Sequence, residues 1–180
     1  MNTQNVVMFG LVAAASAGLF GSRAFRKPGQ QASPADHVAY AKDGLQIDIA
    51  YCRPYKRDRV IFGGLVPFDE VWRTGANQAT TFATNRDLVI GGKKLPAGKY
   101  TLWTIPHRGS WQVIFNKKMY NWGINMDGKA SREPAEDALE VSVPVEELAQ
   151  AVEQFTISVE DPGPVLVLAW DRTKVAVPLK

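Results

Sequence analysis

Gly44-Leu45-Gln46-Ile47-Asp48-Ile49-Ala50-Tyr51 places an apolar side chain at every second position, and that alternation decides the fold class. A period of two belongs to an extended strand with one face in a core and the other in water. The same logic recurs in short β-branched or aromatic runs at 80–84, 87–90, 98–105, 111–116, 139–143, 155–160, 165–170 and 174–179. Between them stand Gly91-Gly92 with Lys93, Pro96-Ala97-Gly98, Arg108-Gly109-Ser110 and Asp161-Pro162-Gly163-Pro164, groups that supply the backbone freedom or fixed φ of a tight reversal. Only 145–152, opened by Pro144 and carrying Glu146, Glu147, Leu148 and Ala151, has helical spacing. The long crossover helices of an α/β fold are missing, so the pattern predicts an all-β antiparallel sandwich or jelly roll with one short helix.

Upstream of the domain, Val6 to Phe20 is an almost unbroken apolar run followed by Arg23, Arg26 and Lys27. At about fifteen residues it is short for a spanning helix and fits the apolar region of a signal peptide, with Ala15-Ser16-Ala17 offering the small residues of a cleavage site. The basic residues follow the run instead of preceding it, and the positive-inside rule would by itself hold the following segment in the cytoplasm, the alternative to export. Residues 1–22 are therefore expected to form an N-terminal apolar helix, either a signal peptide or a membrane anchor, with 23–36 as a linker rich in Pro, Gly, Gln and Ser and 37–180 as the β domain. The expected location is exported, periplasmic or anchored facing the periplasm.

Composition narrows the function classes. A chain of 180 residues with 46% hydrophobic side chains supports one core. Cys52 is the single cysteine, which excludes an internal disulfide and any cysteine-rich metal site. The net charge of +3 conceals an asymmetry: residues 1–130 carry 17 basic and 8 acidic side chains, residues 131–180 carry 4 and 10. In a compact domain such segments compensate each other, so no nucleic-acid partner is expected. His37 and His107 have no metal-like companions, and no zinc, acyl-transfer, ATP or dinucleotide motif is present, so neither metal nor cofactor is expected.

The stretch 51–80, YCRPYKRDRVIFGGLVPFDEVWRTGANQAT, breaks the alternation and reads as a long ordered loop, a common home for function. Arg53, Arg59 and Arg73 offer planar donor forks suited to carboxylate, sulfate or phosphate. Tyr51 and Trp72 offer apolar walls, and Thr74, Gly75 and Asn77 form a turn with polar side chains. Two readings stay open at this point. Tyr51, Arg53, Arg59, Trp72, Arg73, Thr74 and Asn77 line a pocket for a small anionic or carbohydrate-like ligand, or the arginines pair with Asp48, Asp58, Asp69 or Glu70 while Trp72 anchors the core.

The long motifs IFGGLVPF and VWRTGAN, with IGGKKLPAGKYTLWTIP, WQVIFNK and NWG further on, resemble a bacterial family of exported domains of unknown function. The resemblance implies an exported β-rich domain and marks Tyr51, Arg53, Pro54, Phe62, Gly63, Gly64, Trp72, Arg73, Thr74, Gly75, Asn77 and Thr80 as motif positions. It also implies a glutamate where Gln78 stands, and a Gln amide neither titrates nor binds hard cations well. The leading expectation is a non-catalytic binding domain. The alternatives are a hydrolase or lyase using Asp69 or Glu70 as base beside Arg73 and Asn77, and an envelope interaction module.

Overall fold

The computed structural model describes residues 31–180, and the expected N-terminal helix lies outside the described residues. Strands β1 (Ala35–Lys42), β2 (Leu45–Cys52), β3 (Thr81–Thr84), β4 (Leu88–Ile90), β5 (Lys93–Leu95), β6 (Gly98–Pro106), β7 (Ser110–Asn116), β8 (Asp137–Glu160) and β9 (Val165–Pro178) follow one another, with a single 3-10 turn at Pro134–Glu136. Seven of them form one antiparallel sheet in the order β1-β2-β3-β6-β7-β8-β9, and β4 and β5 make a separate hairpin. The sheet is strongly curled into a half-barrel.

The all-β reading holds, while the two-layer sandwich gives way to this single curled sheet for a reason visible in β8. The expected strands at 139–143 and 155–160 are the two ends of one 24-residue strand. Its first part pairs with β7, from Asp137 to Pro144, and its second with β9, from Val145 to Glu160. A strand that changes partner along its length carries the sheet round a bend instead of ending one layer and starting another.

The helix expected at 145–152 is the middle of the same strand. Register shifts between Glu147 and Val152, and again between Val152 and Thr156, insert residues without a ladder partner. Such bulges break the period of two and imitate helical spacing in the sequence. Arg172 donates to the carbonyls of Leu148 and Ala149 at 3.4 and 2.6 Å, serving acceptors that the ladder leaves open there. Two further strands escape the alternation test. β1 begins at Ala35, inside the stretch read as linker, and β5 holds Lys93, read as part of a turn.

The core combines Ile47, Ile49, Phe82, Leu102, Phe115 and Leu168 from the sheet with Ile61 and Val66 from the long loop. Leu88, Ile90 and Leu95 of the β4–β5 hairpin join the same cluster. Polar ties bring β1 towards β8: Asp36 in β1 receives Arg53, whose guanidinium also reaches the Phe155 carbonyl at 3.1 Å and the Thr156 hydroxyl at 2.9 Å. At the other end of β1, Tyr40 and Lys42 both donate to Asp161 in the β8–β9 turn. Lys42–Asp161 and Lys56–Asp171 join the basic and acidic parts of the chain, the compensation that the charge asymmetry implies.

Candidate functional site

β2 ends where Arg53-Pro54 turns the chain away, since Pro54 has no N–H for a ladder. The chain returns through Trp72, whose N–H and carbonyl exchange bonds of 2.7 and 3.0 Å with Thr104 on β6. It thereby takes up the edge of β6 beyond the point where β3 begins at Thr81 opposite Thr101. The turn that follows is tight. Thr74 is fully buried with φ 54°, a left-handed conformation that a β-branched residue adopts only when its surroundings enforce it. Here the surroundings are named contacts: the Thr74 hydroxyl lies 3.2 Å from that of Thr104, and its carbonyl accepts the Thr80 hydroxyl at 2.8 Å. Asn77, also left-handed, donates its amide to the Ser33 carbonyl at 3.2 Å.

Between this turn, the 54–71 loop and a second loop at 124–130 lies a cleft of about 810 Å³. That size suits a small molecule. Arg57, Arg59, Arg73 and Lys129 line it together with only Glu70 and Asp127 as acidic residues, leaving a surplus of two positive charges. Leu65, Pro67, Trp72 and Trp170 supply apolar wall.

The seven residues singled out in the sequence divide into two groups. Arg59, Trp72 and Arg73 line the cleft. Tyr51, Arg53, Thr74 and Asn77 do not, and each is engaged by the fold. The Tyr51 hydroxyl donates to Asp36 at 3.2 Å and accepts the Ile157 N–H at 3.1 Å, and burial pushes its pKa up to about 12. Arg53 pairs with Asp36 at 3.1 Å, a partner absent from those weighed in the sequence.

Arg73 differs from Arg53 in kind. Its guanidinium donates to the Trp122 carbonyl at 3.0 Å and stands 5.9 Å from the Trp122 ring centre. Burial pushes its pKa down, because no nearby carboxylate offsets the loss of water. Arg59 donates to the carbonyls of Lys56 and Tyr55. Thus three guanidiniums, those of Arg57, Arg59 and Arg73, line one cleft without a carboxylate partner among the described residues. Behind them Trp72 stacks on Trp170 at 6.0 Å and meets Phe62 and Trp111 edge-on. The indole N–H of Trp170, buried in the cleft wall, has no acceptor among the described residues.

Sequence reasoning missed the second loop. Ile124, Asp127 and Lys129 line the cleft, yet 117–133 has neither strand nor helix periodicity. Its legible signal is Trp122-Gly123: Gly123 adopts φ 79°, and a Cβ there would stand 3.2 Å from that of Arg73. Asp69, weighed as a base, is bound to His107 and lies outside the cleft lining, whereas Glu70 is within it. No cluster of three potential metal ligands occurs among the described residues.

No curated protein and no solved structure is matched by the chain. A family model described as protein of unknown function (DUF2911) matches residues 33–179, which takes in every strand and both loops of the cleft. The chain therefore belongs to the DUF2911 family.

Proposed function

We propose that this is an extracytoplasmic binding domain whose cleft takes a small anionic ligand, such as an acidic sugar, without catalysing its conversion. The observation that carries the reading is the set of three guanidiniums lining one cleft with no carboxylate among their partners. Arg57 and Arg59 are exposed, but Arg73 is half-buried without a counter-charge, a costly arrangement for stability alone, and an incoming carboxylate or phosphate offsets that cost through paired N–H donors. Trp72 gives the body of such a ligand a flat apolar surface. A catalytic reading draws less support, because Asn77 is held by Ser33 and Asp69 by His107.

Thermal unfolding in the presence of glucuronate, galacturonate, inorganic phosphate and neutral glucose tests the proposal. At a ligand concentration one hundred times its Kd, binding stabilises a protein by about 2.7 kcal/mol, and for a domain of this size that raises Tm by about 5–10 °C. The acidic probes are expected to raise Tm where glucose does not, with the response lost in Arg73→Gln. Equal, negligible shifts from every anion would sink the proposal.

A further inference from the structure

Six large apolar side chains are exposed among the described residues; of these Leu65 lines the cleft, and Val60, Trp122 and Met126 belong to the two chain segments that border it. Their placement follows from direct links. Leu65 lines the cleft, and its N–H donates to the Val60 carbonyl at 3.0 Å. Trp122 accepts from Arg73 through its own carbonyl, and Met126 adjoins Asp127 in the cleft lining. Single exposed apolar residues need no explanation, but a cluster around a basic cleft does.

We infer that this mouth docks on an anionic membrane surface, with a lipid headgroup as the anion in the cleft and Trp122, Met126, Leu65 and Val60 entering the interfacial layer. The inference rests on the proposed anion cleft and names the source of its ligand. Charge complementarity selects this occupant: Arg57, Arg59, Arg73 and Lys129 line the opening against Glu70 and Asp127, a surplus of two positive charges, and basic residues beside apolar and indole side chains are the arrangement that binds an anionic lipid interface. Chain connectivity points the same way. Ala32 and Ser33 line the cleft, so the polypeptide enters the domain at this opening. The apolar run ends at Phe20, twelve residues before Ala32 in the sequence.

The test uses the full chain with Cys52→Ser and one new cysteine, Met126→Cys or Val89→Cys, carrying an environment-sensitive fluorophore. Val89 is 44% exposed on the β4–β5 hairpin, outside the cleft lining, and serves as the control position. The protein is combined with vesicles of phosphatidylcholine alone or with about 30% phosphatidylglycerol, with and without a spin-labelled quencher lipid. The label at Met126 is expected to shift to the blue and be quenched on the anionic vesicles only, with the Val89 label unchanged on both. Each of Arg57→Gln and Arg59→Gln should lower the docked-to-free ratio about fivefold, the effect of removing one basic residue near an anionic surface.

Identical behaviour of the two labels, or of the two vesicle types, overturns the inference. So does a change at Met126 that needs protein concentration instead of lipid, which would assign the mouth to a second copy. If soluble uronate or phosphate raises Tm while the Met126 label ignores anionic vesicles, docking falls and the anion cleft stands. If neither responds, both fall.

Discussion

Tyr51 gives a prediction whose size and sign both come from its surroundings. The ring is 4% exposed and packs edge-on against Phe155, with the hydroxyl bridging Asp36 of β1 and the Ile157 N–H of β8. Burial is the main cause that raises its pKa from 10.0 to about 12. The folded state therefore holds the phenolic proton more tightly than the unfolded chain does. That advantage is fully present below pH 10 and is lost as pH rises from 10 through about 12. A gap of about two units at about 1.4 kcal/mol each sets an upper bound of about 3 kcal/mol, which solvent screening of a partly buried group lowers. Tyr51→Phe removes the titrating group and leaves the Ile157 N–H without its acceptor, at a cost of about 1–3 kcal/mol at neutral pH. Urea unfolding of both proteins from pH 8 to 12 isolates the effect, since Tyr40 and Tyr100 titrate in each. The stability advantage of the parent over Tyr51→Phe should shrink above pH 10. An advantage that stays constant to pH 12 would refute the assignment of a buried, proton-holding tyrosine that bridges β1 and β8.

Arg53→Met should cost about 1–3 kcal/mol, because it leaves half-buried Asp36 with only the Tyr51 hydroxyl and removes the donors to Phe155 and Thr156; denaturant titration reads this, and an unchanged midpoint counts against Arg53 as a structural tie. Gly63→Ala should cost about 2–4 kcal/mol, combining a left-handed backbone at φ 83° with a Cβ 2.7 Å from the Phe68 ring. A shift of less than about 0.5 kcal/mol in the same titration would show that the loop yields freely. Arg73→Gln should leave the folded state nearly as stable as the parent while abolishing the Tm response to acidic probes; a retained response would remove Arg73 from the binding reading.

How much of this was legible in the sequence depended on whether periodicity survived pairing. Ile47 and Ile49 announced β2 because their strand is flanked on both sides and keeps one register, with Val38 and Phe82 directly opposite Ile49. β8 concealed itself because its bulges displaced the alternation, and β1 because Ala35, Asp36 and His37 carry too little apolar weight to mark a buried face. For the cleft, Arg59, Trp72 and Arg73 stood out by residue type in an unpatterned stretch. Lys129 and Ile124 had no such signal, since only tertiary packing brings 124–130 to the first loop.

The same reasoning explains why Arg53 and Arg73, equivalent by sequence criteria, have opposite fates. Arg53 immediately follows β2, and the curl of the sheet brings it Asp36 from one strand and the Phe155 and Thr156 acceptors from another. Its charge is neutralised by the act of closing the half-barrel. Arg73 follows Trp72, whose backbone is committed to Thr104, and so it projects at a point where the sheet supplies no acidic neighbour. The fold gives it one carbonyl and one indole face, contacts that orient a guanidinium without neutralising it. A positive charge that is oriented, partly dehydrated and uncompensated is a poor structural device and a good anion receptor. If this distinction is correct, stability and ligand response must separate cleanly between Arg53→Met and Arg73→Gln, the first losing stability and the second losing only the response.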